Sequence, residues 1–335
     1  MRNPVLIELT RGALVESVHA GAVAVVRATG EVVAAVGDIA APVYPRSAIK
    51  PLQAIACMES GAADRFGFGT RVIALASASH SGTPEQTALA LSILERTGLT
   101  PKALSCGVHE PMDPATAREL IRSGVAPSPL HHNCSGKHAA MLATAVHKGE
   151  PTDGYWRPDH PVQVRIARVL EDLTGCRLGP DVRGIDGCSV PNWAIPLSGL
   201  AQAFARFATG ERVGAGRAAA CRRIAEACWA HPDLVAGPGR LDTAVMGRLP
   251  GVVLMKSGAE GVYCGALPER GLGFALKIDD GAKRAAEAAV MDVISRLCPA
   301  AAQSGPASSL TNWRGVEVGR MRATSALERA LDALG

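Results

Sequence analysis

Alternating apolar residues at both ends of the chain enclose a middle that reads as helix, and this arrangement restricts the available folds more than any other feature. Near the start, Val5–Thr10 and Val15–His19 alternate. Apolar β-formers continue through Ala22–Arg27 and Val32–Val36, with Gly30 in a turn between them. A side-chain period of two, broken by short turns, predicts an antiparallel meander. Towards the other end, Val252–Met255, 262–267 and 273–278 read as strands, 282–297 as a helix, and a last strand is expected near 313–318. Between the two ends, Ser47–Met58, Glu85–Arg96, 136–148, 161–173, 196–207 and 217–230 carry helical patterns. Val72–Ala76 reads as a buried strand and Gln303–Ser309 as a loop. Segregation of this kind predicts an α+β class, with an antiparallel sheet formed by both chain ends, packed with helices, and a helical middle portion. We expect one domain over residues 1–335, with room for an α/β lobe (about 1–80 and 240–335) and a helical lobe (about 81–239).

Composition narrows the function. The 335 residues are 47% hydrophobic, enough for a substantial core and incompatible with disorder. Only 4% are aromatic, and the net charge of +4 is spread without a basic stripe, which argues against a nucleic-acid partner. No apolar run reaches the roughly 18–20 residues that span a bilayer. Met1-Arg2-Asn3-Pro4 leads into the strand pattern without the apolar core of a secretory signal, so a soluble cytoplasmic protein with no membrane partner is expected. Nine cysteines, an odd number, point to free thiols or metal ligands more than to a disulfide framework. Cys57, Cys106, Cys176, Cys221, Cys228, Cys264 and Cys298 sit in apolar runs or on helices and are read as core fillers.

Four segments carry chemistry. Arg46-Ser47-Ala48-Ile49-Lys50 opens a predicted helix, with Pro51 fixing the helix start. One turn places Ser47 and Lys50 on one face, where an amine of lowered pKa can take the serine proton. The pair reads equally well, by itself, as a capping serine and a solvated lysine. Ser79-His80-Ser81-Gly82 follows an apolar run, as an active-site turn or as an ordinary capped turn. Lys256-Ser257-Gly258 follows another apolar run and is similar to the Lys-Thr/Ser-Gly element of serine β-lactamases and penicillin-binding proteins. The fourth segment is His131-His132-Asn133-Cys134-Ser135-Gly136-Lys137-His138, with Asp186-Gly187-Cys188 about fifty residues later. Donor chemistry suggests zinc on Cys134, His138 and Cys188, against the alternative of two buried thiols.

Taken in order, Arg-Ser-x-x-Lys, Ser-His-x-Gly, Asn-Cys-Ser-Gly-Lys-His, Asp-Gly-Cys-Ser-Val-Pro and Lys-x-Gly-Ala-Glu-Gly resemble the rhizobial-type L-asparaginases from about Pro4 to at least Lys277. That resemblance implies a fold similar to serine β-lactamases, penicillin-binding proteins and glutaminases, and a homodimer. It implies hydrolysis of L-asparagine by two Ser-Lys pairs, Ser47 with Lys50 and Ser79 with Lys256. It also implies zinc held by Cys134, Lys137 and Cys188, with Asp186 supporting through water. Arg46, His80 and His138 are then expected to support the substrate or the site. We take Ser47 as the nucleophile. A glutaminase or other serine amidohydrolase, and a non-catalytic zinc-stabilised binding protein of the same fold, are the alternatives that the residues leave open.

Overall fold

The computed structural model of the chain describes residues 3–305 and 308–334. Leu14–Arg27 is the hub of an eight-stranded sheet, and all of its pairings are antiparallel. The first half of this strand pairs with Val5–Arg11, with Glu8 opposite Val18. The second half pairs with Leu272–Ile278 and with Val32–Val36. The sheet continues through Val262–Leu267 to Leu254–Ser257 on one side, and through Glu317–Ala323 to Ser309–Thr311 on the other. Ile7 faces Ala323, so the two chain ends lie side by side, as the patterning led us to expect.

Leu254–Ser257, at the sheet edge, and its neighbours Val262–Leu267 and Leu272–Ile278 are buried along almost their full length, the state expected when helices cover a sheet on both faces. Helices Leu197–Thr209 and Lys283–Leu297 both pack on Leu272–Ile278. A side chain at Gly273 would place its Cβ 2.0 Å from Ala201 O and 2.5 Å from Ala205 N, so this glycine lets helix backbone rest directly on the strand. In the helical middle, Lys50–Ser60 is enclosed by Ser135–Lys148, Pro161–Thr174 and Ala215–Ala230, and everything from Lys50 to Met58 is buried. Among the described residues no helix is long and apolar enough to cross a membrane.

Two elements differ from expectation. Thr70–Ala76 is a helix, not a strand. Its apolar run is buried from Val72 to Ala76 against Ser135–Lys148 and Ala215–Ala230, and a short run buried on all sides has no period that distinguishes helix from strand. The last long strand is Glu317–Ala323 rather than 313–318, because Asn312 and Gly315 close a turn ahead of it. Gly319 and Met321 then point inward on alternate positions. Of the loop expected over 303–309, residues 306 and 307 lie outside the described residues. The nine cysteines are all free; Cys176 and Cys298 are half-buried and the other seven buried.

Candidate active site

Three separate stretches bring a serine and two lysines together. Arg46–Ile49 forms a 3-10 turn that runs into the Lys50–Ser60 helix, with Pro51 in its first turn, and this buries Lys50 completely. The segment after Thr70–Ala76 carries Ser79, whose N–H donates to Val235 O at 2.8 Å, while the His80 N–H donates to Asn133 O at 3.2 Å. Strand Leu254–Ser257 carries Lys256, also wholly buried. A Cβ on Gly258 would fall 2.6 Å from Pro45 O, so the end of this strand abuts the turn that holds Ser47.

Lys50 Nζ and Lys256 Nζ each lie 2.9 Å from Ser79 Oγ. Of the two expected pairs, Ser79 with Lys256 is in contact, whereas Lys50 meets Ser79 in place of Ser47. One hydroxyl is shared by both amines, and among the described residues Ser47 Oγ makes no hydrogen bond. Lys50 Nζ also reaches Asn133 Oδ1 at 3.4 Å, and Lys256 Nζ donates to Ser257 O at 2.9 Å. Burial pushes the Lys256 amine down to about 7. Asp242 opposes that shift, while the nearby charges of Lys50 and Arg240 add to it. Asp242 is itself buried, accepting from Ser257 N at 2.6 Å and from Tyr263 OH at 3.4 Å.

Ser47 and Ser79 open onto one cavity of about 220 Å³, whose wall also includes Asn133, Arg240, Ser257 and Glu260. Its size suits a small polar metabolite rather than a polymer. Asn133, Arg240, Asp242, Glu260 and Tyr263 were not singled out in the sequence. Glu260 lay within a quoted motif and Asn133 in a quoted run, but nothing local marked Arg240 or Asp242. A second hollow of about 470 Å³, lined by Tyr44, Arg46, Asn192 and Lys277, shares only Glu260 with the first.

Beside Asn133 lies the cysteine cluster. Cys134 caps the Ser135–Lys148 helix, and Lys137 projects from its first turn to place Nζ 3.1 Å from Cys188 Sγ. The Cys188 thiol donates to Asp186 Oδ2 at 3.3 Å, and Asp186 Oδ1 accepts from Arg46 Nε at 2.5 Å. Cys134 Sγ lies 2.9 Å from Asn133 Oδ1. Hydrogen bonding to Cys188 holds the Cys134 thiol well below its ordinary range against the opposing effect of burial, with Lys50 and Lys137 contributing. Burial works against the charge on Asp186, but Lys137 and Arg46 keep its carboxyl below the usual carboxylate value. Arg46 at φ 52° and Ser189 at φ 75° are left-handed without being glycine, so the backbone is strained on both loops of this cluster.

The two histidines make other contacts. His138 Nδ1 lies 2.6 Å from Tyr155 OH and its Nε2 is buried with no partner among the described residues, while Lys137 is the side chain that faces the Cys188 thiol. His80 is fully buried, with Nε2 2.8 Å from Ser135 Oγ and Nδ1 accepting from Gly82 N at 3.1 Å. Burial drives its pKa down to about 3 and Lys50 adds to the shift, so it is a neutral clamp between the Ser79 segment and the 135–148 helix. Among the described residues no three His, Cys, Asp or Glu side chains converge as a metal-binding group. The convergence that exists is two sulfurs and one amine with a carboxylate behind them. Burial works against the charge on Lys137, but Cys188, Cys134 and Asp186 raise its pKa above the ordinary value, so the set fits zinc only after that amine gives up its proton.

The sequence model of a family described as L-asparaginase II matches residues 7–323. No curated protein matches the chain. Among solved structures, a β-lactamase (Mb2281c) from Mycobacterium bovis is similar at 15% identity and a TM-score of 0.37, covering 78% of this chain and 88% of that one. A protein called Mglu, in its native form, is similar at 15% identity and a TM-score of 0.41, covering 78% of this chain and 59% of that one. Scores below one half leave both as loose likenesses.

Proposed function

The chain belongs to the L-asparaginase II family, and from that premise we propose that it hydrolyses the side-chain amide of L-asparagine to L-aspartate and ammonia through a serine acyl-enzyme. The observation that carries this reading is Ser79 Oγ, held at 2.9 Å by each of two buried lysine amines in the wall of a cavity that also exposes Ser47. Ser47 attacks the amide carbon and Lys50, one turn further on, takes its proton. Lys256 is the amine that is readily neutral near pH 7. Ser79 passes its proton to Lys256 while taking one from Lys50, which leaves the Lys50 amine neutral, and the Ser47 hydroxyl, free of other hydrogen bonds among the described residues, turns to that amine as the substrate binds. The same relay run backwards protonates the leaving nitrogen. Ammonia departs, leaving acyl-Ser47. Water then attacks the acyl carbon, gives its proton to the relay, and aspartate leaves as Ser47 regains a proton. A backbone N–H in the first turn at Ser47 stabilises the oxyanion.

We also propose that Cys134, Lys137 and Cys188, backed by Asp186, hold zinc. When bound, the ion supplies fixed positive charge and ties the 133–137 turn to the 186–188 loop.

Ammonia release from Asn and Gln by wild type, Ser47→Ala and Ser79→Ala tests the reading. The expected outcome is a fall in kcat of about 10³-fold or more for Ser47→Ala, and of about 10²- to 10⁴-fold for Ser79→Ala, where only proton transfer is impaired. The double amine contact favours a second reading, with Ser79 as the acylated residue. Ser47→Ala retaining most of the activity would put that reading in place of the first. A glutamine rate at or above the asparagine rate would move the substrate to the longer amide, since one methylene is worth roughly 10- to 200-fold in a fitted pocket.

A further inference from the structure

Two side chains on the cavity wall have polar atoms buried with no protein partner. Arg240 Nε and Nη1 are inaccessible and make no hydrogen bond, and no carboxylate among the described residues lies within ion-pair distance of this guanidinium. Ser257, only 7% exposed, has a buried Oγ that is equally unpaired. Both residues line the cavity that holds Ser47 and Ser79. Their backbones are tied together, because Asp242, two residues beyond Arg240, accepts the Ser257 N–H at 2.6 Å. Lys283, another cation on this wall, is already paired with Glu287 at 3.4 Å.

Leaving a buried charged donor unpaired is costly, so such groups persist where something outside the protein completes them. A guanidinium fork beside a hydroxyl matches a carboxylate in shape, charge and donor count. We propose that Arg240 and Ser257 form the subsite for the α-carboxylate of a free amino acid, and so determine that the enzyme takes free asparagine rather than simple amides or peptide-bound residues. Glu260, exposed on the same wall, offers the opposite charge to the α-ammonium group. The assignment rests on the amidohydrolase reading for its substrate, but not for its chemistry.

The test compares L-asparagine with 3-aminopropanamide, which is asparagine without its α-carboxylate, in wild type, Arg240→Met, Arg240→Lys and Ser257→Ala. Arg240→Met is expected to raise KM for asparagine about 30-fold or more, the usual loss when one partner of a buried charged pair is removed. Its effect on KM for 3-aminopropanamide should stay within about threefold at about pH 9, where Lys256 is mostly neutral in either protein and the lost Arg240 charge no longer acts through it. Arg240→Lys keeps the charge beside Lys256 but loses the fork, and should fall between wild type and Arg240→Met. Ser257→Ala should raise KM for asparagine by about 5- to 10-fold. An unchanged KM for asparagine, or an equal loss on both substrates, overturns the assignment.

A parallel calorimetric titration with L-aspartate and with β-alanine needs no turnover. Wild type should bind aspartate at least about tenfold more tightly than β-alanine, and the preference should vanish in Arg240→Met, or shrink in Ser257→Ala if the first variant does not fold. No preference in wild type overturns the subsite. Absence of amide turnover with that preference intact overturns only the asparaginase reading.

Discussion

Lys256 has exchanged water for the interior of the sheet, and the consequences for catalysis and stability have definite signs. Burial pushes its amine down to about 7, so in the folded chain it is mostly uncharged above that pH. The neutral form accepts the proton, so kcat/KM is expected to rise with pH through about 7, and Lys256→Met should remove that limb along with at least about 10² of the rate. A pH–rate profile of both proteins checks this. The same shift sets a stability trend. Between about 7 and the ordinary 10.5, the unfolded chain binds more protons at this lysine than the folded one does, so its contribution to stability rises with pH across that window. Urea midpoints at pH 7 and pH 9 should differ less in Lys256→Met than in wild type. Ser47, Lys50, Ser79 and Lys256 were all legible as motif members. The Ser79–Lys256 contact was expected from the resemblance, but the Lys50–Ser79 contact was not, because it spans 29 positions and is set by tertiary packing rather than by spacing along a helix. Arg240 and Asp242 carried no local signal, since one arginine and one aspartate at a helix start look like ordinary surface charges.

The helix crossing that positions these residues depends on one glycine. A Cβ at Gly136 would lie 2.5 Å from Leu75 O and 2.6 Å from Leu75 Cγ, so the Ser135–Lys148 helix rests on the end of Thr70–Ala76. That contact sets Asn133, Cys134 and Lys137 relative to Ser79. Gly136→Ala is expected to destabilise by about 1–3 kcal/mol through overpacking, and to lower kcat well beyond what the residual folded fraction accounts for. Thermal unfolding and active-site kinetics on one sample separate the two effects. Most elements here were readable from period and caps. Pro161–Thr174 and Ala215–Ala230 lie within two residues of their expected bounds. Thr70–Ala76 was unreadable because an apolar run with helices around it carries no contrast between faces.

At the scale of the whole molecule, the chain closes on itself through the pairing of Val5–Arg11 with Glu317–Ala323, and the reacting groups come from widely separated stretches. The cysteine cluster links the 134–137 turn with the 186–188 loop across 51 positions. With zinc bound there, elemental analysis should find about one ion per chain, and Cys188→Ser should lower both the metal content and the unfolding temperature. A metal-free wild type with unaltered stability would contradict the zinc assignment. The central claim is that asparagine is cleaved through an ester on a serine next to the two-lysine relay. Its most direct test is acid quench during turnover of L-asparagine, followed by peptide mass spectrometry. The expected product is an aspartyl ester on the peptide that carries Ser47, absent in Ser47→Ala. An ester on the peptide that carries Ser79 instead, or full turnover with neither serine modified, would contradict the account.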